Sequence, residues 1–276
     1  MIGVFEYDRK VKQGVEITLN VIRELYKYRE MIFSLIRKDL RSRYKGSALG
    51  FLWTFINPLL QLVVYTIVFS ILFPTNIDKF YIFLFIGLVP WLFFNTAIVG
   101  GSTSVVSQEN LIKKIYFPRQ VLPISYVTSG FVNMLLTFIV IFLVLFFSGF
   151  GIAYETLWAL PIVMLVEYLL ALGIAMIMSA LTVYVRDLEY ILGIVAMCWM
   201  YLTPILYEID TIPEEYRYLI YLNPMTGVIR CYRDILYYKQ LPELEVLGSA
   251  FGVGLGFLIV GFIVFERLQR HFVEEL

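Results

Sequence analysis

Six long runs of apolar residues alternate with short polar segments along the chain. A helix rises about 1.5 Å per residue and the hydrocarbon core of a bilayer is about 30 Å thick, so about 20 apolar residues are needed to cross it. Runs of this length are typical of membrane-spanning helices. The pattern predicts an all-α polytopic membrane protein with six transmembrane helices, at about 50–73, 80–106, 121–148, 157–182, 188–206 and 246–266.

The first part of the chain follows a helical period instead of a continuous apolar run. Apolar residues recur on one face from Ile22 to Tyr44, and most Lys and Arg side chains of this stretch fall on the other. Arg29 falls on the apolar face, which leaves room for two helices. We predict a cytoplasmic N-terminal arm, 1–49, with an amphipathic helix in the membrane interface, followed by a transmembrane domain, 50–276. A helix packed on a partner protein is the alternative.

Two polar segments have patterns typical of short helices. Segment 107–120 has an acidic residue early and two lysines late, which suits the dipole of a helix. In the long loop 207–245, Asn223-Pro224 is a helix-start signal between two amphipathic pieces that are too short to span. We predict one short cytoplasmic helix in 107–120 and two short re-entrant or interfacial helices over 213–238.

The distribution of charge predicts the orientation. The chain has 276 residues, of which 60% are hydrophobic and only 16% charged, against about 25% charged in soluble domains. Net charge is zero, yet 17 of the 22 Lys and Arg residues lie in 1–49, 107–120, 183–187 and the C-terminal tail. Positive charge concentrates on the cytoplasmic side of membrane proteins, so both termini are predicted to be cytoplasmic.

Several kinds of chemistry have no sequence basis here. The chain contains no GxxxxGK[ST] phosphate loop, so it is not expected to hydrolyse a nucleotide by that route. Its single histidine is His271, near the C-terminus, and its two cysteines are Cys198 and Cys231. We therefore expect neither a catalytic site nor a metal site.

Glu167 is the one acidic side chain that lies well inside a predicted span, away from its ends. It shares a helical face with Ala171, Ala175 and Ser179, and small residues at this spacing are typical of a helix–helix contact. Two interpretations stay open: a protonated carboxyl that bonds across this contact, or a carboxylate that drives proton-coupled transport. The last span has a similar close-packing pattern, at Gly248, Gly252 and Gly256.

Polar side chains form a stripe on two of the predicted spans. Hydrocarbon cannot satisfy such groups, so they are expected to turn inward, where they either line a pathway or bond neighbouring helices. The stripes consist of Thr54, Asn57, Gln61 and Tyr65 in the first span and Ser129, Asn133 and Thr137 in the third.

Tyrosines are concentrated in 201–238. An aromatic belt at the membrane–water interface accounts for such a concentration. Alternatively the rings stack on sugar faces, because tyrosine has an apolar face and a polar tip.

Four segments of the chain resemble, in order, the permease subunits of polysaccharide ABC exporters, which export O-antigen, teichoic acid or capsule chains. The resemblance covers about residues 30–266. The segments are RKDLRSRYKGSALGFLWTFINPLLQ, NLIKKIYFPRQVLPIS, VRDLEYIL and YLNPMTGVIRCYRDILY.

The resemblance implies a homodimer of six-span subunits in the bacterial cytoplasmic (inner) membrane, paired with two copies of a separate ATPase. ATP and Mg would bind that ATPase, and no cofactor is expected on this chain. The substrate would be a lipid-linked glycan, and no nucleic-acid partner is expected. An ABC exporter of drugs or small lipids, and a proton-driven transporter that uses Glu167, are the alternatives.

The resemblance also implies roles for individual residues. The coupling helix that docks in the ATPase would present Leu111, Ile112, Lys113, Lys114, Ile115, Tyr116 and Phe117. The pyrophosphate of the lipid carrier would meet Arg41, Arg43 and Lys45. The channel would be lined by Thr54, Asn57, Gln61, Tyr65 and Tyr201, and the outer re-entrant region would present Tyr216, Tyr221 and Tyr232.

Overall fold

The computed structural model describes residues 23–43, 45–69 and 77–276, apart from the side chain of Val273. Within these ranges every regular element is helical, so the predicted all-α class is confirmed. Parts of three predicted features lie outside the described residues. They are 1–22 of the N-terminal arm, Tyr44 of its apolar face, and 70–73 of the first span.

The helices follow the predicted segments closely. A helical segment at 23–27 is separated from the next helix by a turn at Tyr28, so the described part of the arm contains two helices. The helices that follow are α1 (Arg29–Ser42), α2 (Trp53–Ile67), α3 (Phe80–Asn95), α4 (Glu109–Lys114), α5 (Val121–Phe147), α6 (Leu160–Tyr184), α7 (Leu188–Leu202), α8 (Glu214–Tyr221), α9 (Pro224–Leu236), α10 (Leu244–Leu268) and α11 (Phe272–Glu275).

Among the described residues, five helical stretches are long and apolar enough to cross a membrane. The predicted span 188–206 differs, because its helix α7 has only 15 residues. At about 1.5 Å per residue this helix is about 22 Å long, which is less than the hydrocarbon thickness. The five long stretches are Gly50–Ile67, Phe80–Gly100, Val121–Phe147, Leu157–Tyr184 and Leu244–His271.

Hydrogen bonds between distant segments define two ends of the helix bundle. At one end, which we call the basic end, Lys38 bonds to Gln108 at 3.3 Å, and Tyr184 donates to the carbonyl of Leu268 at 2.8 Å. Helices α1, α4 and α11 lie there. At the other end, which we call the tyrosine-rich end, the hydroxyl of Tyr237 donates to the carbonyl of Asp78 at 2.5 Å.

Helices α6 and α10 pack backbone to backbone through glycines. A Cβ on Gly173 would lie 2.4 Å from the backbone nitrogen of Leu258, and a Cβ on Gly261 would lie 2.4 Å from the carbonyl oxygen of Gly173. No other residue fits at such an approach. The close-packing face predicted for this span is not the one that packs on α6, because a Cβ on any of its glycines would meet nothing within 4 Å in the described structure of this chain. It comprises Gly248, Gly252 and Gly256.

Replacing Gly173 with Ala should therefore destabilise the folded protein by about 3 kcal/mol, the upper end of the range for overpacking, since the added methyl meets backbone that cannot shift independently. The matched control is Gly252→Ala, which adds the same methyl where nothing lies within 4 Å. Thermal unfolding of both variants in detergent measures the difference. Equal midpoints for the two variants would contradict the glycine contact.

Candidate functional site

A polar cleft of about 260 Å³ lies between α2, α3 and α5. The two polar stripes predicted from the sequence meet across it, because both helices pack on α3 and on each other. Hydroxyl and carboxamide groups dominate its polar surface, and among its described lining residues Arg43 alone is charged. The polar lining consists of Arg43, Thr54, Asn57, Gln61, Thr96, Asn133 and Thr137.

An unusual turn of α3 lies beside the cleft. After Asn95 the helix continues as a π-helical turn, Thr96–Gly100, whose first residue lines the cleft. A Cβ on Gly100 would lie 2.1 Å from the hydroxyl oxygen of Tyr126, so only glycine allows this ring to lie across α3. Single π-helical turns are frequent at functional sites because they change which side chains a helix presents.

The cleft is bounded at the basic end by Arg43. Its guanidinium lies 2.9 Å from the carboxylate of Asp39 and 5.7 Å from the ring centroid of Tyr126. Ser129 bonds to both partners of this ion pair. Because the ion pair is only about one-quarter exposed, the guanidinium is held in one orientation, and an anion that bound it would compete with Asp39.

Some predicted site residues lie outside the cleft. Arg41 and Lys45 are exposed and do not line it. Tyr65 is half-buried, and Tyr201 is 63% exposed at the end of α7, where its carbonyl accepts a hydrogen bond from Tyr207 at 2.8 Å. The structure thus brings together one of the three predicted cations and three of the five predicted lining side chains.

Helix α4 ends in an apolar tip that points away from the bundle. The predicted contact set divides into two groups. Ile112 and Phe117 are buried and anchor the segment, whereas Ile115 is 55% and Tyr116 93% exposed. The backbone turns from helical to extended at Ile115, which carries Tyr116 outward. We call Ile115 and Tyr116 the projecting tip.

The charges on α4 leave a net positive surface beside the projecting tip. Lys113 lies 2.7 Å from Glu109, one helical turn earlier, and this hydrogen bond lowers the pKa of Glu109 below its usual range. Lys114 makes no ion pair within the described residues, and it lies at the end of the helix where a cation is favourable. An exposed aromatic ring next to an unpaired cation is a typical docking surface.

Tyr232 does not share the surroundings of Tyr216 and Tyr221. Those two are more than half exposed, but Tyr232 is fully buried and its hydroxyl donates to Glu167 at 2.6 Å. This corrects the prediction that all three rings face the outside. The bond joins α9 to α6, so Glu167 takes part in a cross-helix contact, which one of its two interpretations expected.

The chain after α7 leaves the helix at Thr203, turns at Pro204 and Ile205 and is buried there, and α9 satisfies its backbone. Helix α7 ends at Leu202, two residues before Pro204, which cannot continue a helix. Arg233 donates to the carbonyls of Pro204 at 2.5 Å and Ile205 at 2.7 Å, and its guanidinium lies 3.4 Å from the ring centroid of Phe83. A buried side chain of α9 therefore satisfies the backbone carbonyls that follow the end of α7.

Asn223 supports the same break from the start of α9. Its side chain accepts a hydrogen bond from Trp199 at 2.8 Å and donates to the hydroxyl of Thr203 at 2.8 Å and the carbonyl of Leu202 at 3.2 Å. The same side chain also caps α9 by accepting from Met225, which confirms the helix-start signal.

The comparison with known families decides the identity of the fold. A family model described as ABC-2 type transporter matches residues 30–237. The chain belongs to the ABC-2 type transporter family. The match includes α1 to α9, and hence the cleft, the projecting tip and the break after α7.

This ABC-2 transporter chain is similar to named polysaccharide transporters over most of its length. It is 36% identical over 265 residues to the O-antigen export system permease protein RfbA of Myxococcus xanthus, covering 94% of this chain and 100% of the relative. It is 32% identical over 247 residues to RfbA of Klebsiella pneumoniae, covering 90% and 95%. The polysialic acid transport protein KpsM of Escherichia coli is 22% identical over 231 residues, covering 82% and 85%. The predicted membership in the polysaccharide exporter permeases is confirmed.

Sequence reasoning missed two residues and one helical turn that shape this ABC-2 chain. Asp39 was overlooked because it lies among the many cations of the arm. Its spacing of four residues from Arg43 nevertheless suits a helical ion pair. For Arg233 the available signal was an Arg in an amphipathic helix that follows a Thr-Pro break. Nothing in the sequence marks the π-helical turn beside Tyr126.

Proposed function

We propose that the chain is the permease subunit of an ATP-driven exporter that moves a lipid-linked polysaccharide across the cytoplasmic membrane. Two copies would form the channel and pair with two copies of a separate ATPase. The observation that carries this proposal is the meeting of two uncharged polar stripes in one cleft with a single cation at its basic end. The relatives named as O-antigen export permeases support it.

The chemistry of the cleft suits a glycan. A polysaccharide is long, polar and rich in hydroxyl groups, and carboxamides such as Asn57 and Gln61 both donate and accept hydrogen bonds. Arg43 would meet the pyrophosphate of the lipid carrier, which replaces Asp39 as its partner. ATP hydrolysis would occur on the partner, and the projecting tip would transmit its motion.

We also propose that the chain crosses the membrane six times, with both termini cytoplasmic. Helix α7 supplies about 22 Å, and the buried turn at 203–206 continues the chain beyond its end. Together they connect the basic end to the tyrosine-rich end. Non-helical backbone at membrane depth requires internal partners, and Arg233 supplies them. Helices α8 and α9 would then be the re-entrant pair at the outer side.

The double variant Asn57→Leu with Gln61→Met tests the role of the cleft. Both changes keep the approximate side-chain volume and remove the hydrogen-bonding groups, so export should fall at least tenfold while the complex with the ATPase still assembles. Surface glycan, measured by labelling intact cells, is the readout. Thr66→Val is the matched control, because Thr66 lies on α2 outside the cleft lining and its buried hydroxyl has no partner within the described residues.

Normal export by the double variant would exclude the cleft from the pathway. Deleting the ATPase separates this proposal from proton-driven transport, since export that persists without the ATPase would rule out the ATP-driven mechanism. Glu167 favours the ATP-driven reading, because within the described residues it is engaged by Tyr232 and has no second carboxylate or histidine as a hydrogen-bond partner.

A further inference from the structure

A second cavity, of about 290 Å³, opens at the tyrosine-rich end between the segment after α7 and helices α8 and α9. It is separate from the cleft, and no residue lines both. Its volume is at the lower end of the range for small-ligand sites, about 300 Å³, so it suits one small molecule or one unit of a polymer. We call it the outer pocket.

The charges around the outer pocket oppose an anion and do not suit a metal ion. Its lining includes two arginines, Arg230 and Arg233, and three carboxylates, those of Glu208, Asp210 and Asp234. A phosphate would meet more negative than positive charge. Among the described residues, no group of three His, Cys, Asp or Glu side chains is placed to hold a metal ion. A neutral ligand rich in hydroxyl groups fits this balance.

Buried polar groups and exposed rings meet in the outer pocket. Asp234 is 3% exposed and one of its carboxylate oxygens accepts from Gln240 at 3.1 Å. Arg233 is 5% exposed, and its Nε has no hydrogen-bond partner within the described structure. Fixed acceptors and donors of this kind can bind neighbouring hydroxyl groups without first having to become ordered.

Two tyrosines complete the outer pocket. Tyr221 is 56% and Tyr238 46% exposed, so each retains free ring surface. The hydroxyl of Tyr238 lies 3.1 Å from Glu208, and burial together with that carboxylate raises the pKa of Tyr238 to about 12. The phenol thus stays protonated at neutral pH and remains a hydrogen-bond donor. An aromatic face beside fixed carboxylates matches the apolar face and hydroxyl rim of a sugar ring.

We propose that the outer pocket binds one sugar unit of a glycan at the tyrosine-rich end, with Tyr221 stacking on the ring and Asp234 and Glu208 accepting hydrogen bonds from its hydroxyl groups. The identity of the ligand as the exported glycan rests on the proposed function. The pocket would hold the emerging chain between steps, which disfavours backward movement.

Binding of the glycan to the full permease–ATPase complex in nanodiscs tests this assignment. The probe is the exporter's own polysaccharide, released from its lipid carrier by mild acid. Tyr221→Ala should weaken binding at least tenfold, and Glu208→Gln at least fivefold. The matched control is Tyr218→Ala, because Tyr218 is 61% exposed on the same helix but does not line the pocket, and it should change binding less than twofold.

The outcomes separate the two proposals. Unchanged binding in both variants, or equal loss in the Tyr218→Ala control, would show a hydrated structural pocket only and overturn the assignment. Competition by inorganic phosphate at the same concentrations as the glycan would also overturn it. Tenfold weaker binding to Tyr221→Ala in a complex that never displays glycan on cells would support the sugar site and count against the export function instead.

Discussion

Tyr116→Asp is expected to abolish export and to weaken association with the ATPase by at least about 30-fold. Tyr116 is 93% exposed at the projecting tip, so its ring contributes nothing to the permease's own core. Exposed tyrosines of this kind often act as hot spots whose loss costs about 2 kcal/mol or more, which is about 30-fold in Kd. A carboxylate in place of the ring also reduces the net positive charge that Lys113 and Lys114 give this surface. Co-purification of the ATPase and its ATP turnover rate measure the effect.

The matched control for that experiment is Tyr154→Asp. Tyr154 is 79% exposed but lies at the opposite end of the bundle, beside the start of α6. It should leave association and turnover unchanged. Association within twofold of the unmodified complex in Tyr116→Asp would remove the projecting tip from the interface.

Arg233→Ala should destabilise the fold by about 3–5 kcal/mol, a loss large enough to leave little folded permease in the membrane. The change leaves the carbonyls of Pro204 and Ile205 without their donors, and each buried unsatisfied carbonyl costs about 1–3 kcal/mol. It also opens a cavity over the ring of Phe83. Arg233→Lys should recover only part of the lost stability, because a single ammonium group cannot reproduce the two hydrogen bonds that the planar guanidinium donates.

Thermal unfolding monitored by size-exclusion chromatography in detergent measures these changes. Arg230→Ala is the matched control on the same helix. Its ion pair with Glu243, at 2.8 Å, is partly exposed, so its loss should cost less than about 1 kcal/mol. An Arg233→Ala variant as stable as Arg230→Ala would show that the buried turn after α7 does not depend on this guanidinium.

Most of the fold follows from composition and period. The long apolar runs correctly predicted the five described helices that are long enough to cross the membrane, because the hydrocarbon thickness sets the length of such helices. The short α7 could not be predicted in this way, since hydropathy does not distinguish a helix from a buried turn such as 203–206. That distinction depends on Pro204 and on a donor, Arg233, which is nearly 30 residues away.

The candidate site was predicted in part, and the misses share a cause. The polar stripes on α2 and α5 were visible as helical periods, and they do meet in the cleft. Which cation reaches the cleft depends on Asp39 and Tyr126, which no local pattern connects. The burial of Tyr232 likewise depends on Glu167, 65 positions earlier. Local patterns find which residues share a face, but they do not find which faces meet.

The glycine contact between α6 and α10 limits how this protein can move. Sliding either helix along the other by one residue would place a side chain where Gly173 and Gly261 now allow backbone to touch backbone. The two helices are therefore expected to move together as one rigid unit. Helix α2 is largely exposed, so it could move against this pair with little loss of packing, whereas the break after α7 is held by Arg233 and Asn223. The cleft would then open when α2 moves away from α3 and α5, while α6 and α10 keep their positions relative to each other.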